Sequence, residues 1–187
     1  MGRLFQQVSE RTIRITRSFR KRARQGFPVF ALFLLNLVFF SDILRSGGLF
    51  IERDLTSFFI PPRHFWVDCL KGGDFPLWNP LNFGGHPFLA TLQPGVLYPP
   101  NLLFFILPFS DAFNWIIISH FFLAGAFTYA FLRFLEAGRA ASFLGASLFL
   151  LGGYLLSLHS LLSALLSLIW LPLILLLFGR ALRINSL

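Results

Sequence analysis

Residues 112–135, AFNWIIISHFFLAGAFTYAFLRFL, contain no Asp, Glu or Lys, and their one Arg, Arg133, stands near the end. Spanning a hydrocarbon core takes about 20 predominantly apolar residues in a helix, so this stretch predicts a membrane-crossing helix. Three more runs qualify by the same measure: Phe27–Leu44, Ala140–Leu158 and Leu161–Phe178. The composition agrees. The chain is 56% hydrophobic and 13% charged, against about 45–50% and about 25% for soluble domains. Water would reject that much apolar surface, and lipid accepts it. The fold class expected is an all-α integral membrane protein with about four transmembrane helices.

Outward from the spans, charge sets the orientation. Arg3, Arg11, Arg14, Arg17, Arg20, Lys21, Arg22 and Arg24 precede the first apolar run and make up half of the 16 cations. The division expected is a basic segment over 1–26 and a membrane domain over 27–187. Flanking Lys and Arg mark cytoplasmic loops. The basic segment, Arg133 with Arg139, and Arg180 with Arg183 all fall on one side of a four-span arrangement. The N-terminus is then cytoplasmic, and residues 45–111 form a long outer loop of a multi-pass inner (plasma) membrane protein. As a helix, the basic segment would put Leu4, Val8, Ile15 and Phe19 on one face, although Arg11 and Arg22 interrupt it; a disordered basic tail fits equally. Zinc-ligand spacing, a recognition-helix pattern and an aromatic platform for RNA are all missing, so the partner of this charge is the bilayer rather than nucleic acid. Small-residue cleavage chemistry does not follow Leu44, so the first run is expected to be a retained signal anchor. Cys69 is the single cysteine, and no intrachain disulfide can form.

The third and fourth spans are separated only by Ser157, His159 and Ser160, which suits a tight outer hairpin or one long bent helix. Pro172 is expected to bend the last span. Ala141 with Gly145, and Gly152-Gly153, are small-residue packing signals. His120 lies inside the second span with Asn114 nearby. Such a group is a functional candidate, or a neutral imidazole hydrogen-bonded between helices.

Structureless loops beyond about 12–15 residues are uncommon unless functional or disordered, and residues 45–111 are too aromatic for disorder. Phe58, Pro62, Phe65, Trp66, Cys69 and Leu70 recur at helical spacing, with Arg63, His64, Asp68 and Lys71 elsewhere on the wheel. This predicts an interfacial helix ended by Gly72-Gly73. A second short one is expected over Leu102–Leu107. Between them, Asp74-Phe75-Pro76-Leu77-Trp78-Asn79-Pro80, Gly84-Gly85-His86-Pro87 and Gln93-Pro94-Gly95 imply a compact, rigid lining, because dense Pro and Gly set backbone torsions at chosen points.

The run from Asp54 through FPLWNPLNFGGHPFLATLQPGVLYPPNLLF, with AGAFTYAFLR, RAASFLGASLFLLGGY and WLPLILL after it, resembles the N-terminal part of bacterial YfhO-type membrane proteins. These are assigned to the GT-C superfamily of polyprenyl-phosphate-sugar-dependent glycosyltransferases. The resemblance covers residues 27–180 and stops after four spans, where such proteins carry more. A fragment, a truncated frame or one part of a split enzyme is the expectation, with further membrane helices coming from the same or a partner chain.

The resemblance implies a sugar transferred from a polyprenyl phosphate to a cell-envelope acceptor at the outer face. It puts the early acidic residue of such enzymes at Asp54, as base or divalent-cation ligand, with Glu52 assisting. If Ile51–Asp54 is extended, the two carboxylates project to similar sides. Transfer also needs positive charge near the departing phosphate. Arg63 is the first choice, with Arg53 and Lys71 behind it; His86, Trp78 and Asn79 complete the candidate substrate contacts. Against these stand plainer readings: Glu52 and Asp54 as solvated interfacial charge, Arg53, Arg63 and Lys71 as headgroup partners, and Trp78 with Asn79 as a turn lock. A non-catalytic subunit binding lipid or partner helices is the alternative function, and a transporter component the third.

Overall fold

The computed structural model describes residues 26–82 and 84–185; the basic segment before Gly26 lies outside them. Among the described residues the chain is helical, and the only extended pairing is a single antiparallel bridge between Asn79 and His86. The elements are α1 (Gly26–Phe39), α2 (Ser41–Ser46), a π-helical turn (Leu55–Phe59), α3 (Ile60–Lys71), α4 (Phe109–Phe134), α5 (Arg139–Leu150), α6 (Gly153–Ser157), α7 (Leu162–Leu168) and α8 (Leu171–Asn185). Short 3-10 turns cover Leu89–Thr91, Pro99–Phe105 and Leu158–Ser160.

Three helices are long and apolar enough to cross a membrane: Phe109–Phe134, Arg139–Ser160 and Leu162–Ile184. The first apolar run differs from expectation. It breaks at Phe40 into α1 and α2, and α1 alone falls short of a span's length. The second and third long helices are also interrupted. α5 stops at Leu150 and the chain resumes at Gly153. α7 stops at Leu168 and α8 begins at Leu171, where Pro172 has no N–H for the Leu168 carbonyl. The expected outer hairpin is the 3-10 turn Leu158–Ser160 between α6 and α7.

α4 is the central element, packed chiefly on α5 and α8. The approach of α5 is close enough that a Cβ at Gly145 would lie 2.6 Å from Leu132 Cδ1. α1 is tied to α4 by Asn36 Nδ2, which donates to the Ile118 carbonyl at 3.0 Å. At one end of the bundle Arg183 pairs with Glu136 at 3.9 Å and lies over the Phe134 ring. The same end holds Phe27, Pro28 and Arg139 around one groove. At the other end, residues 47–107 form a packed cap rather than a loop. Trp66 meets Phe104 edge-on at 5.8 Å, and Phe104 stacks on Phe109 at 4.9 Å, so the cap and the helices share one apolar core.

Candidate functional site

The cap begins with a strapped segment. Asn114 of α4 donates from Nδ2 to the Gly48 carbonyl at 2.6 Å and accepts from the Phe50 N–H at 3.3 Å. Glu52 Oε2 lies 2.6 Å from His159 Nε2, and His159 Nδ1 lies 2.6 Å from the Leu156 carbonyl. A carbonyl only accepts, so Nδ1 carries a hydrogen and the Glu52–His159 pair holds one proton between its facing atoms. The turn between α6 and α7, read as a plain connection, is thus the anchor for Glu52.

The extended geometry supposed for Ile51–Asp54 is not found. Arg53 adopts φ +48°, Leu55 N–H bonds back to the Glu52 carbonyl at 3.0 Å, and Asp54 is helical at φ −67°. A tight turn separates the two carboxylates, and the shared-side argument falls with it. Asp54 is exposed at the start of the π-helical turn. Arg53 and Lys71 are exposed as well.

Arg63, expected beside the lipid phosphate or a headgroup, is enclosed by protein. It is 2% exposed, with Trp66 and Val67 buried beside it on α3. Its Nη1 donates to the Phe59 carbonyl at 3.0 Å, and its guanidinium lies 5.6 Å from the Phe59 ring centre. Among the described residues no carboxylate pairs with it. Burial lowers its pKa to about 10, so the group is still a cation at neutral pH. Spacing within α3 sets Arg63 apart from the apolar stripe and carries no sign of its burial.

The WNP and GGHPF elements fold onto each other. Asn79 and His86 exchange both backbone hydrogen bonds at 3.0 Å, and Phe88 N–H bonds the Leu77 carbonyl at 2.9 Å. Asn79 Oδ1 accepts from the Leu81 N–H at 2.9 Å, closing a side-chain turn before Pro80. Gly85 has φ +102°, and a Cβ there would lie 2.7 Å from Trp78 Cζ2. Gly85→Ala is therefore expected to lower stability by about 1–3 kcal/mol, read as an earlier thermal transition in detergent micelles; an unchanged transition would show that Trp78 is not held over this turn.

Between this turn and the N-terminal end of α3 lies a cavity of about 600 Å³. Ser57 and Phe58 come from the π-helical turn, and Pro61 and Pro62 from α3. Asn79, His86 and Phe88 form the opposite wall, and Gln93 reaches it from the next turn. The chain matches no family model, no curated protein and no solved structure. Function must be argued from the site.

Three of the residues singled out from sequence, Trp78, Asn79 and His86, come together, and two of them line the cavity. Asp54 lies three residues before the lining Ser57. Glu52 is drawn to His159 instead. Among the described residues no three His, Cys, Asp or Glu side chains cluster as a metal site. Ser57, Thr91 and Gln93 were not singled out, because single polar residues in a loop carry no periodic signal, and Phe88 is one apolar residue among many in this tract.

Proposed function

We propose that this stretch of chain works at the outer face of the plasma membrane as part of a sugar transferase fed by a polyprenyl-phosphate sugar. The observation that carries the reading is Arg63, a buried cation without an acidic partner among the described residues, set in a cap that packs directly on apolar helices. Buried charges are paired or they cost several kcal/mol, and a lipid phosphate is the counter-charge that a site at a membrane surface would receive. In the reaction the acceptor oxygen attacks the anomeric carbon. The carbon–oxygen bond to phosphate breaks, and its electron pair stays on the departing lipid phosphate beside Arg63. The acceptor's proton passes to the Asp54 carboxylate. Exposed apolar residues on α8, among them Ile174, Phe178 and Leu182, fit lipid or further helices of the same or a partner chain.

The test is Asp54→Asn in membranes of the native assembly, with sugar transfer from the lipid donor as readout. Transfer is expected to fall about a hundredfold, the lower range for loss of a general base. Unchanged transfer would leave the second reading, a non-catalytic subunit that binds lipid phosphate. That reading draws on Glu52, whose carboxylate is engaged by His159 at 2.6 Å and so is committed to holding the cap.

A further inference from the structure

The cavity has a chemical character of its own, distinct from that of Arg63. Among the described residues, no Asp, Glu, Lys or Arg lines it. Its polar groups are the hydroxyls of Ser57 and Thr91, the amides of Asn79, Asn82 and Gln93, and the His86 imidazole. Its apolar surface includes Phe88, 1% exposed, and the ring of Phe58 at the mouth.

Thr91 and Gln93 are occupied by the protein. Thr91 Oγ1 donates to the Phe88 carbonyl at 2.7 Å, and Gln93 Oε1 accepts from Ser163 at 2.8 Å. Asn79 is different. It is 2% exposed, its Oδ1 takes the Leu81 N–H, and its Nδ2 donates to no group among the described residues. The residue lines the cavity, so this N–H₂ group is a donor open to whatever occupies it, water or a ligand.

We infer that the cavity takes an uncharged, hydroxyl-rich ring, a neutral sugar, with Asn79 Nδ2 donating to one of its oxygens. The wall chemistry selects against the other classes. A phosphate or carboxylate would enter without a facing cation, while a purely apolar ligand would strip water from several amides and hydroxyls without replacing it. A pyranose presents hydroxyls at its edge and C–H groups on its faces, which suit the amides and the aromatic surface respectively. The volume lies within the range of about 300–1,000 Å³ usual for small-ligand sites. The inference deepens the transferase reading and rests on it for the sugar's being cargo; the binding itself needs neither lipid nor acceptor.

The experiment titrates the full chain in detergent micelles with methyl glucoside, N-acetylglucosamine, glucuronate and inorganic phosphate, read by saturation-transfer NMR. The uncharged sugars are expected to bind, with glucuronate at least about tenfold weaker and phosphate weaker still. Asn79→Asp keeps the oxygen that accepts the Leu81 N–H and replaces the donating Nδ2 by an acceptor; measured well below its thermal transition, which the buried carboxylate should lower, it should bind the uncharged sugars about tenfold or more weakly. Equal binding of glucuronate, or sugar binding untouched by Asn79→Asp, would overturn the assignment. Sugar binding in a chain whose native assembly transfers nothing would support it and remove the transferase reading alone.

Discussion

Arg63→Met is expected to yield a protein that is more stable than the natural one and about a thousandfold less active in lipid-dependent transfer. The stability half follows from linkage. Burial lowers the Arg63 pKa to about 10, so the folded state holds this proton less tightly than the unfolded chain does. A base with a depressed pKa penalises the fold fully below the folded value, and the penalty fades as pH climbs from there toward the unfolded value. At about 1.4 kcal/mol per unit, it amounts to roughly 3 kcal/mol at neutral pH. Methionine fills similar volume without a charge, and exchanges of this kind range from neutral to about 1–4 kcal/mol stabilising. The activity half follows from removing the phosphate's partner, since truncating one member of a buried charge pair costs about 2–5 kcal/mol. Unfolding followed in micelles, with and without added polyprenyl phosphate, joins the halves: the lipid should stabilise the natural chain by mass action and leave the variant unmoved. A variant both less stable and still stabilised by the lipid would show that Arg63 merely props Phe59.

What could be read from the residues beforehand divides along physical lines. The α4 span over 112–135 was legible because lipid tolerates few charges in a row, and the structure extends it only to Phe109–Phe134. The end of α3 at Gly72-Gly73 was legible for a backbone reason, and Gly73 does adopt φ +88°. In the first run, hydropathy measures composition and is blind to the break at Phe40 between α1 and α2. The second short helix expected over Leu102–Leu107 forms as a 3-10 turn over Pro99–Phe105, its start moved back to the Pro99-Pro100 pair. Burial of Arg63 was out of reach, because it depends on Phe59 and on the aromatic stack of the cap rather than on spacing within α3. The Glu52–His159 contact joins residues far apart in the chain, and no local pattern announces a partner at that range. The proline-glycine tract predicted rigidity, yet the pairing of Asn79 with His86, and so the cavity wall, needed the fold.

The other large effect concerns the polar chain that fastens the cap to the helices. His120 is fully buried in α4. Its Nδ1 lies 2.5 Å from the Ile116 carbonyl and must be the donor there, while its Nε2 lies 2.6 Å from the Tyr98 hydroxyl. Trp170 Nε1, which can only donate, reaches the same hydroxyl at 3.2 Å. The directions are therefore set, from Trp170 to Tyr98 to His120 to Ile116, with a neutral imidazole in the third place. This matches the interhelical hydrogen-bond reading of His120, extended to a partner in the cap and to the break between α7 and α8. Tyr98→Phe leaves both the indole and the imidazole unpaired, and His120→Leu leaves the hydroxyl hydrogen without an acceptor. Each is expected to cost about 2–3 kcal/mol of stability. The double variant should cost less than the sum by about 1–2 kcal/mol, because the second change removes the group that the first had orphaned. Hydrogen bonds between membrane helices average nearer 0.6 kcal/mol, so the size of the coupling distinguishes a fastening chain from incidental contacts. Gln93, which contacts Ser163 and lines the cavity, lies five residues before Tyr98. Loosening Tyr98 should accordingly weaken sugar binding as well as stability, whereas a coupling near zero with binding intact would mean that the cap holds its shape without these helices.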